Sequence, residues 1–144
     1  MKENREIRQG DIYYARLPGW KDRGSVQRGT RPVIVVSTDW LNKNSPVYRV
    51  APLTSKLKAV NMPTHVLLPK LKGLPRQSMV LGEQVRPLTR ENFLSYRCTL
   101  SDELYKEVDR AIRNSIRRKK QKHKNGRKRR GHRSYKKKPE LMKK

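Results

Sequence analysis

Apolar residues along this 144-residue chain come in short runs of strand length until about residue 100, and only then take up a helical period. Gly10 and Asp11 followed by I-Y-Y-A-R-L read as a turn opening a first strand, rich in aromatic and β-branched side chains, which Leu17, Pro18 and Gly19 bring to an end. A long polar loop with Lys21, Asp22, Arg23 and Gly24 follows, a kind of segment that commonly carries function. Residues 32–36 form an unbroken apolar run, which predicts a strand buried on both faces. After a turn cluster at 42–46, residues 47–53 predict the next strand, and 64–68 another. Residues 78–81 and 83–86 read as strand with a bulge or sharp bend at Gly82 between them. The basic stretch around Lys56, Lys58 and Asn61, and the proline- and glycine-punctuated 69–77, read as loops.

The one helical pattern is late. Leu104, Val108, Ala111, Ile112 and Ile116 recur at i, i+4, i+7, i+8 and i+12, which sets them on one stripe. Ser101 is the expected N-cap, with Asp102 and Glu103 at the positive end of the helix dipole and Leu100 and Tyr105 spaced as a hydrophobic staple. Five or six short strands and one terminal helix predict a mostly β (α+β) fold: a small β-barrel closed by a C-terminal amphipathic helix.

Composition divides the chain into two parts. Residues 117–144 hold sixteen Lys or Arg and one acidic residue, Glu140, and so account for +15 of the formal +25. Like charges repel at helical spacing, so the sequence predicts a domain over 1–116 and a disordered basic tail over 117–144. The remaining +10 leaves the body basic as well, which favours a polyanionic partner, nucleic acid first. The single cysteine, Cys98, has no internal disulfide partner, so the core carries the stability, as in a reducing compartment. The charged N-terminus and short apolar runs predict neither a signal peptide nor a membrane span, and hence a cytoplasmic protein without a membrane partner. Cys, His and carboxylate spacings suggest no metal site, and no cofactor is called for. His65 is a lone histidine on a strand, read as structural rather than as a ribonuclease base, while His123 and His132 fall in the tail.

Five landmarks then occur in order: R-Q-G-D-I-Y-Y-A, G-S-V-Q-R-G-T-R-P-V-I-V-V, A-P-L-T-S-K, P-T-H-V and S-M-V-L-G-E-Q-V-R. With the terminal helix they resemble the MazF/PemK/Kid family of toxin endoribonucleases from about Arg8 to Ile116, most closely the Gram-positive members. The resemblance implies an SH3-like barrel of the CcdB/MazF type. It also implies cleavage of single-stranded RNA at short sequences without a metal, the 2′-hydroxyl attacking the neighbouring phosphate to leave a 2′,3′-cyclic phosphate and a 5′-hydroxyl.

Carried over residue by residue, the catalytic pair is Arg31 and Thr54. A guanidinium fork can hold two phosphoryl oxygens at once, and a threonine hydroxyl adds a neutral donor. RNA-binding candidates are Ser25 and Gln27 in the loop, Lys56 and Lys58 after Thr54, and Gln84 and Arg86. Each also has a plainer reading: solvated loop or face for the first four, core or interface for the last two. Two departures stand out: Val26 where the family commonly has an acidic residue, and a longer loop with Trp20.

The implied partners are a second copy of the chain and a cognate antitoxin whose acidic, disordered segment occupies the RNA groove. The tail would add a grip on ribosomes or other nucleic acid. Alternatives are a gyrase-inhibiting toxin on the same fold, which would not need Arg31 and Thr54, and a non-catalytic nucleic-acid-binding module.

Overall fold

The structure, a computed structural model, describes residues 5–18 and 29–118. Seven antiparallel strands form one sheet: β1 (Asp11–Leu17), β2 (Gly29–Val35), β3 (Val47–Thr54), β4 (His65–Leu67), β5 (Met79–Leu81), β6 (Arg86–Thr89) and β7 (Phe93–Thr99). A short helix α1 (Asp39–Asn44) joins β2 to β3, and α2 (Asp102–Ile116) ends the described chain. The strands run in the order β4-β5-β3-β2-β1-β7, with β6 also paired to β3. The mostly β fold with a terminal helix is as expected. The expected disorder of the tail from residue 119, and the roles given to Ser25 and Gln27, lie outside the described residues.

The apolar run in β2 explains the layering. Val33, Ile34 and Val35 are all fully buried because alternate side chains enter two different cores. Ile34 joins Ile12, Ala51, Leu53, Val66, Val80 and the helix residues Val108 and Ala111. Val33 and Val35 join Tyr13, Val50, Tyr48 and Phe93, where Tyr13 and Phe93 meet edge to face at 5.3 Å. Helix α2 closes the first core, packing with Val66 of β4 at one end of the sheet and Cys98 of β7 at the other. Its start is as the sequence predicts: Ser101 Oγ accepts from the Leu104 N–H at 3.2 Å. Its stripe ends sooner than predicted, because Ile116 is 77 % exposed.

The R-Q-G-D landmark proves to be a structural corner. Gly10 sits at φ +93°, and the Asp11 carboxylate, 1 % exposed, accepts from the Arg8 N–H and the Thr99 hydroxyl. Two expectations need correction. The 42–46 turn is largely a helix, α1, capped by Thr38. Residues 82–84 form a 3₁₀ turn rather than strand, and β6 begins only at Arg86. Gly82 explains the corner: a Cβ there would lie 2.7 Å from the Thr64 carbonyl oxygen and 3.4 Å from the Ala111 side chain, so α2 and β4 press directly on its backbone.

Gly73 is tighter still. It lies at φ +102°, and a Cβ would fall 2.3 Å from the Arg97 carbonyl oxygen. Gly73→Ala is therefore expected to cost about 3 kcal/mol in urea unfolding, through overpacking added to a left-handed backbone. Gly29→Ala shares the positive φ but meets nothing within 4 Å, and its expected cost is only about 1 kcal/mol. Equal costs at the two positions would show that φ, and not the close approach, dominates.

Candidate active site

Strand β3 pairs with β2, β5 and β6, and the candidate site lies where its pairing with β2 ends and that with β5 begins. Val50, Ala51 and Pro52 pair with β2, whereas Leu53 and Thr54 pair with Val80 and Met79 of β5. The β2 ladder ends at the Val33–Pro52 pair. Both strands carry a proline near the parting, Pro32 and Pro52, and neither supplies an N–H to prolong the ladder. Continuing the register by two residues sets Arg31 opposite Thr54 on the same face of the sheet. The two candidates, 23 positions apart in sequence, thus fall at corresponding positions just beyond the point where the two strands part.

The corner opens a cleft of about 190 Å³. Arg31 and Pro32 of β2, Leu53 and Ser55 of β3, and Tyr14 of β1 line it, together with Leu74, Pro75, Arg76 and Ser78 from the β4–β5 connection; Thr54, between Leu53 and Ser55, faces the other side of the strand and is not among the lining residues. Arg31 is half-buried. Thr54 is 7 % exposed, and its hydroxyl oxygen accepts from the Lys56 backbone N–H at 3.1 Å. That contact uses a lone pair and leaves the hydroxyl hydrogen to be donated. A guanidinium and a hydroxyl that reach the same phosphoryl group can stabilise negative charge on it.

The other candidates spread around this centre. Lys56 and Lys58 are exposed on the loop leaving β3. Gln84 ends the 3₁₀ turn, half-buried. Arg86 stands opposite Val50, four residues along β3 from Thr54, which is roughly 13 Å at strand rise. Its guanidinium donates to the Pro18 carbonyl at 2.9 Å, tying β6 to the end of β1, and burial pulls its pKa below the ordinary arginine range. None of these four lines the cleft itself.

His65 is structural, as read. Its Nδ1 meets the Ala59 carbonyl at 3.0 Å and its Nε2 meets the Glu83 carboxylate at 3.1 Å, so both ring nitrogens are engaged in holding the β3–β4 loop to the 3₁₀ turn. Burial pushes the Glu83 carboxyl up, but hydrogen bonds from its own backbone N–H and from His65 outweigh this and hold it below its ordinary 4.5. A depressed carboxylate stabilises the fold above its unfolded pKa and loses that contribution as pH falls through the folded value. Glu83→Gln should therefore lower the thermal midpoint at pH 7, and the gap to the parent should close between about pH 5 and pH 3. A gap that stays constant with pH would show that packing, not charge, accounts for the loss.

Reading the sequence alone passed over Tyr14, Leu74, Pro75 and Arg76. Ser78 belongs to a quoted landmark but carried no role, and Arg76 sits in a segment read only as loop. Among the described residues no group of three or more His, Cys, Asp or Glu is placed to hold a metal ion, and no helix is long and apolar enough to cross a membrane.

Known proteins resemble this chain in sequence and in fold. A PemK-like, MazF-like toxin family of type II toxin–antitoxin systems matches residues 8–116. An endoribonuclease MazF of Staphylococcus saprophyticus is 39 % identical over 107 residues, covering 74 % of this chain and 88 % of the relative. MazF from Deinococcus radiodurans superposes with a TM-score of 0.65 at 22 % identity, over 77 % of this chain and 96 % of its own. A mycobacterial endoribonuclease solved in complex with its cognate antitoxin gives 0.61 at 17 % identity, over 76 % and 93 %. At such identities the two structures speak to the fold alone.

Proposed function

This chain belongs to the PemK-like, MazF-like toxins of type II toxin–antitoxin systems and is an endoribonuclease, and from that premise we propose that it cuts single-stranded RNA at a short sequence, without a metal, at the Arg31–Thr54 corner. The observation that supports this reading is the β2–β3 register, which continued two residues past Val33–Pro52 sets Arg31 opposite Thr54.

The substrate 2′-hydroxyl attacks the adjacent phosphorus, the P–O5′ bond breaks, and a 2′,3′-cyclic phosphate and a 5′-hydroxyl result. Negative charge accumulates on the phosphoryl oxygens during attack. The Arg31 fork spans two of these oxygens and the Thr54 hydroxyl donates to one, so both interactions strengthen as the transition state is approached. A guanidinium with a pKa above about 12 stays protonated, so Arg31 acts by charge and orientation rather than as a base. Exposed Lys56 and Lys58 follow the RNA backbone as it leaves the corner, with Ser25 and Gln27 contributing from the preceding loop. Gln84 and Arg86 continue the groove along β3.

Residues 1–116 act as the toxin domain, working in the cytoplasm as a homodimer. A cognate antitoxin with an acidic segment binds the same basic groove, drawn by the field that attracts RNA. Residues 117–144, with sixteen basic side chains, hold RNA or ribosomal RNA nearby and raise the local substrate concentration.

The test is cleavage of a long, unstructured RNA by the purified protein in EDTA, with both ends of each cut mapped. Discrete cuts at one shared motif, bearing cyclic phosphate and 5′-hydroxyl ends, are expected. A folded protein that leaves the RNA whole, or that cuts only when a divalent ion is restored, overturns the metal-independent reading.

A further inference from the structure

The cleft is lined by two arginines from distant parts of the chain, Arg31 from β2 and Arg76 from the β4–β5 connection, and the proposed chemistry uses only the first. We infer that Arg76 is a substrate-binding residue: it grips a phosphate next to the one being cleaved, and so sets affinity for RNA without entering the reaction. This rests on the reading of the cleft as the RNA site.

A polynucleotide passing through the cleft brings successive phosphates with it. Arg31 is committed to the scissile group, so a neighbouring phosphate needs its own donor. Arg76 is exposed and makes no ion pair among the described residues, so its charge is not already neutralised by a carboxylate. Beside the two cations the cleft presents the half-buried Tyr14 ring and the exposed Pro75, with the hydroxyls of Ser55 and Ser78. That surface suits an unstacked base, which RNA readers commonly take against aromatic and apolar side chains.

The loop carrying Arg76 is also unusually well held. Arg97 donates from Nε to the Gly73 carbonyl at 2.8 Å and lies over the Tyr14 ring at 5.1 Å, joining one wall of the cleft to the base of the loop. The Gly73 backbone rests against the Arg97 carbonyl, as described above. On the far side, Gln77 donates to the Leu68 carbonyl at 2.8 Å, and the hydroxyl of Ser78 donates to the carbonyl of Arg76 itself at 3.1 Å. A cation on a pinned backbone loses less freedom on binding than one on a free loop, and that difference appears as affinity. A contact present equally in ground and transition states changes KM and leaves kcat alone.

The experiment compares the full-length protein with Arg76→Ala and Arg76→Lys, using a 30-nucleotide unstructured RNA of mixed sequence and its 2′-deoxy copy. The copy lacks the nucleophile and reports binding alone. Arg76→Ala should raise KM for the RNA and Kd for the deoxy strand about tenfold, with kcat within about twofold, and Arg76→Lys should recover part of the loss. The slope of log Kd against log salt should become shallower by about 0.7, the value for one phosphate contact on a single strand. Unchanged KM, Kd and slope would make Arg76 a solvated surface residue and overturn the inference. So would a fall in kcat comparable to that of Arg31→Ala, which would make it part of the chemistry. If the parent protein binds both strands and cuts neither, the ribonuclease reading fails by itself, and the Kd and salt slope still decide the role of Arg76.

Discussion

Arg31→Ala is expected to lower kcat for RNA cleavage about a thousandfold while changing KM far less. Removing one preorganised donor from a developing oxyanion typically costs 10²–10³ in rate, and a charged fork that holds two oxygens lies at the upper end. Arg31→Lys keeps the charge but not the fork, so only part of the rate should return. Thr54→Ala should lose about a hundredfold, and Thr54→Ser, which keeps the hydroxyl, should recover most of it. Because both side chains serve the same phosphoryl oxygens, the double variant should lose less than the product of the single losses. Single-turnover cleavage measures all of these directly. Arg31 is half-exposed as the third residue of its strand, so a folded Arg31→Ala protein cutting at the parent rate would remove the pair from the mechanism.

Removing residues 119–144 should have the next largest effect, on binding rather than on chemistry. The cut spares Arg117, whose N–H caps α2 on the Arg113 carbonyl at 2.8 Å, so the described body keeps its last helical contact. It takes away fourteen basic side chains and one acidic one. At about 50 mM salt, affinity for a long RNA should fall on the order of a thousandfold if six or more phosphates are released, and the salt slope should become shallower by about four. Short oligonucleotides that fill only the cleft should be cut with unchanged kcat. Equal affinity and slope for truncated and full-length proteins, by fluorescence anisotropy across salt, would mean that the tail does not hold RNA.

The two effects differ in how directly the sequence announces them. Tail charge is a sum over residues and needs no fold. The proposed catalytic pair depends on a pairing register, and periodicity carries no register. Arg31 and Thr54 could be picked out because quoted motifs resemble a family, and only the β2–β3 register, continued two residues past Val33–Pro52, sets them opposite each other. The remaining errors have local causes. Residues 93–99 give no strand signal in the sequence because β7 is only partly buried along most of its length and shows no clean alternation. Helix α1 is six residues long, too short to establish a period. Residues 83–86 have strand-like composition, yet α2 and the Thr64 carbonyl leave Gly82 no room for an extended partner and turn the chain there.

What followed from the residues in order was whatever depends on nearest neighbours: the apolar runs of β1 to β5, the capped amphipathic helix α2, and the division into a basic body and a far more basic tail. Tertiary structure alone decided what depends on segments far apart in the chain. It ended the β2 ladder on β3 where the β5 pairing begins, and so opened the cleft beside Arg31. It pressed Gly73 against Arg97 and thereby carried Arg76 into a cleft with Tyr14 and Arg31. Local pattern follows from the chemistry of adjacent side chains, but a cleft exists only once strands separated by tens of residues have paired and then been forced apart.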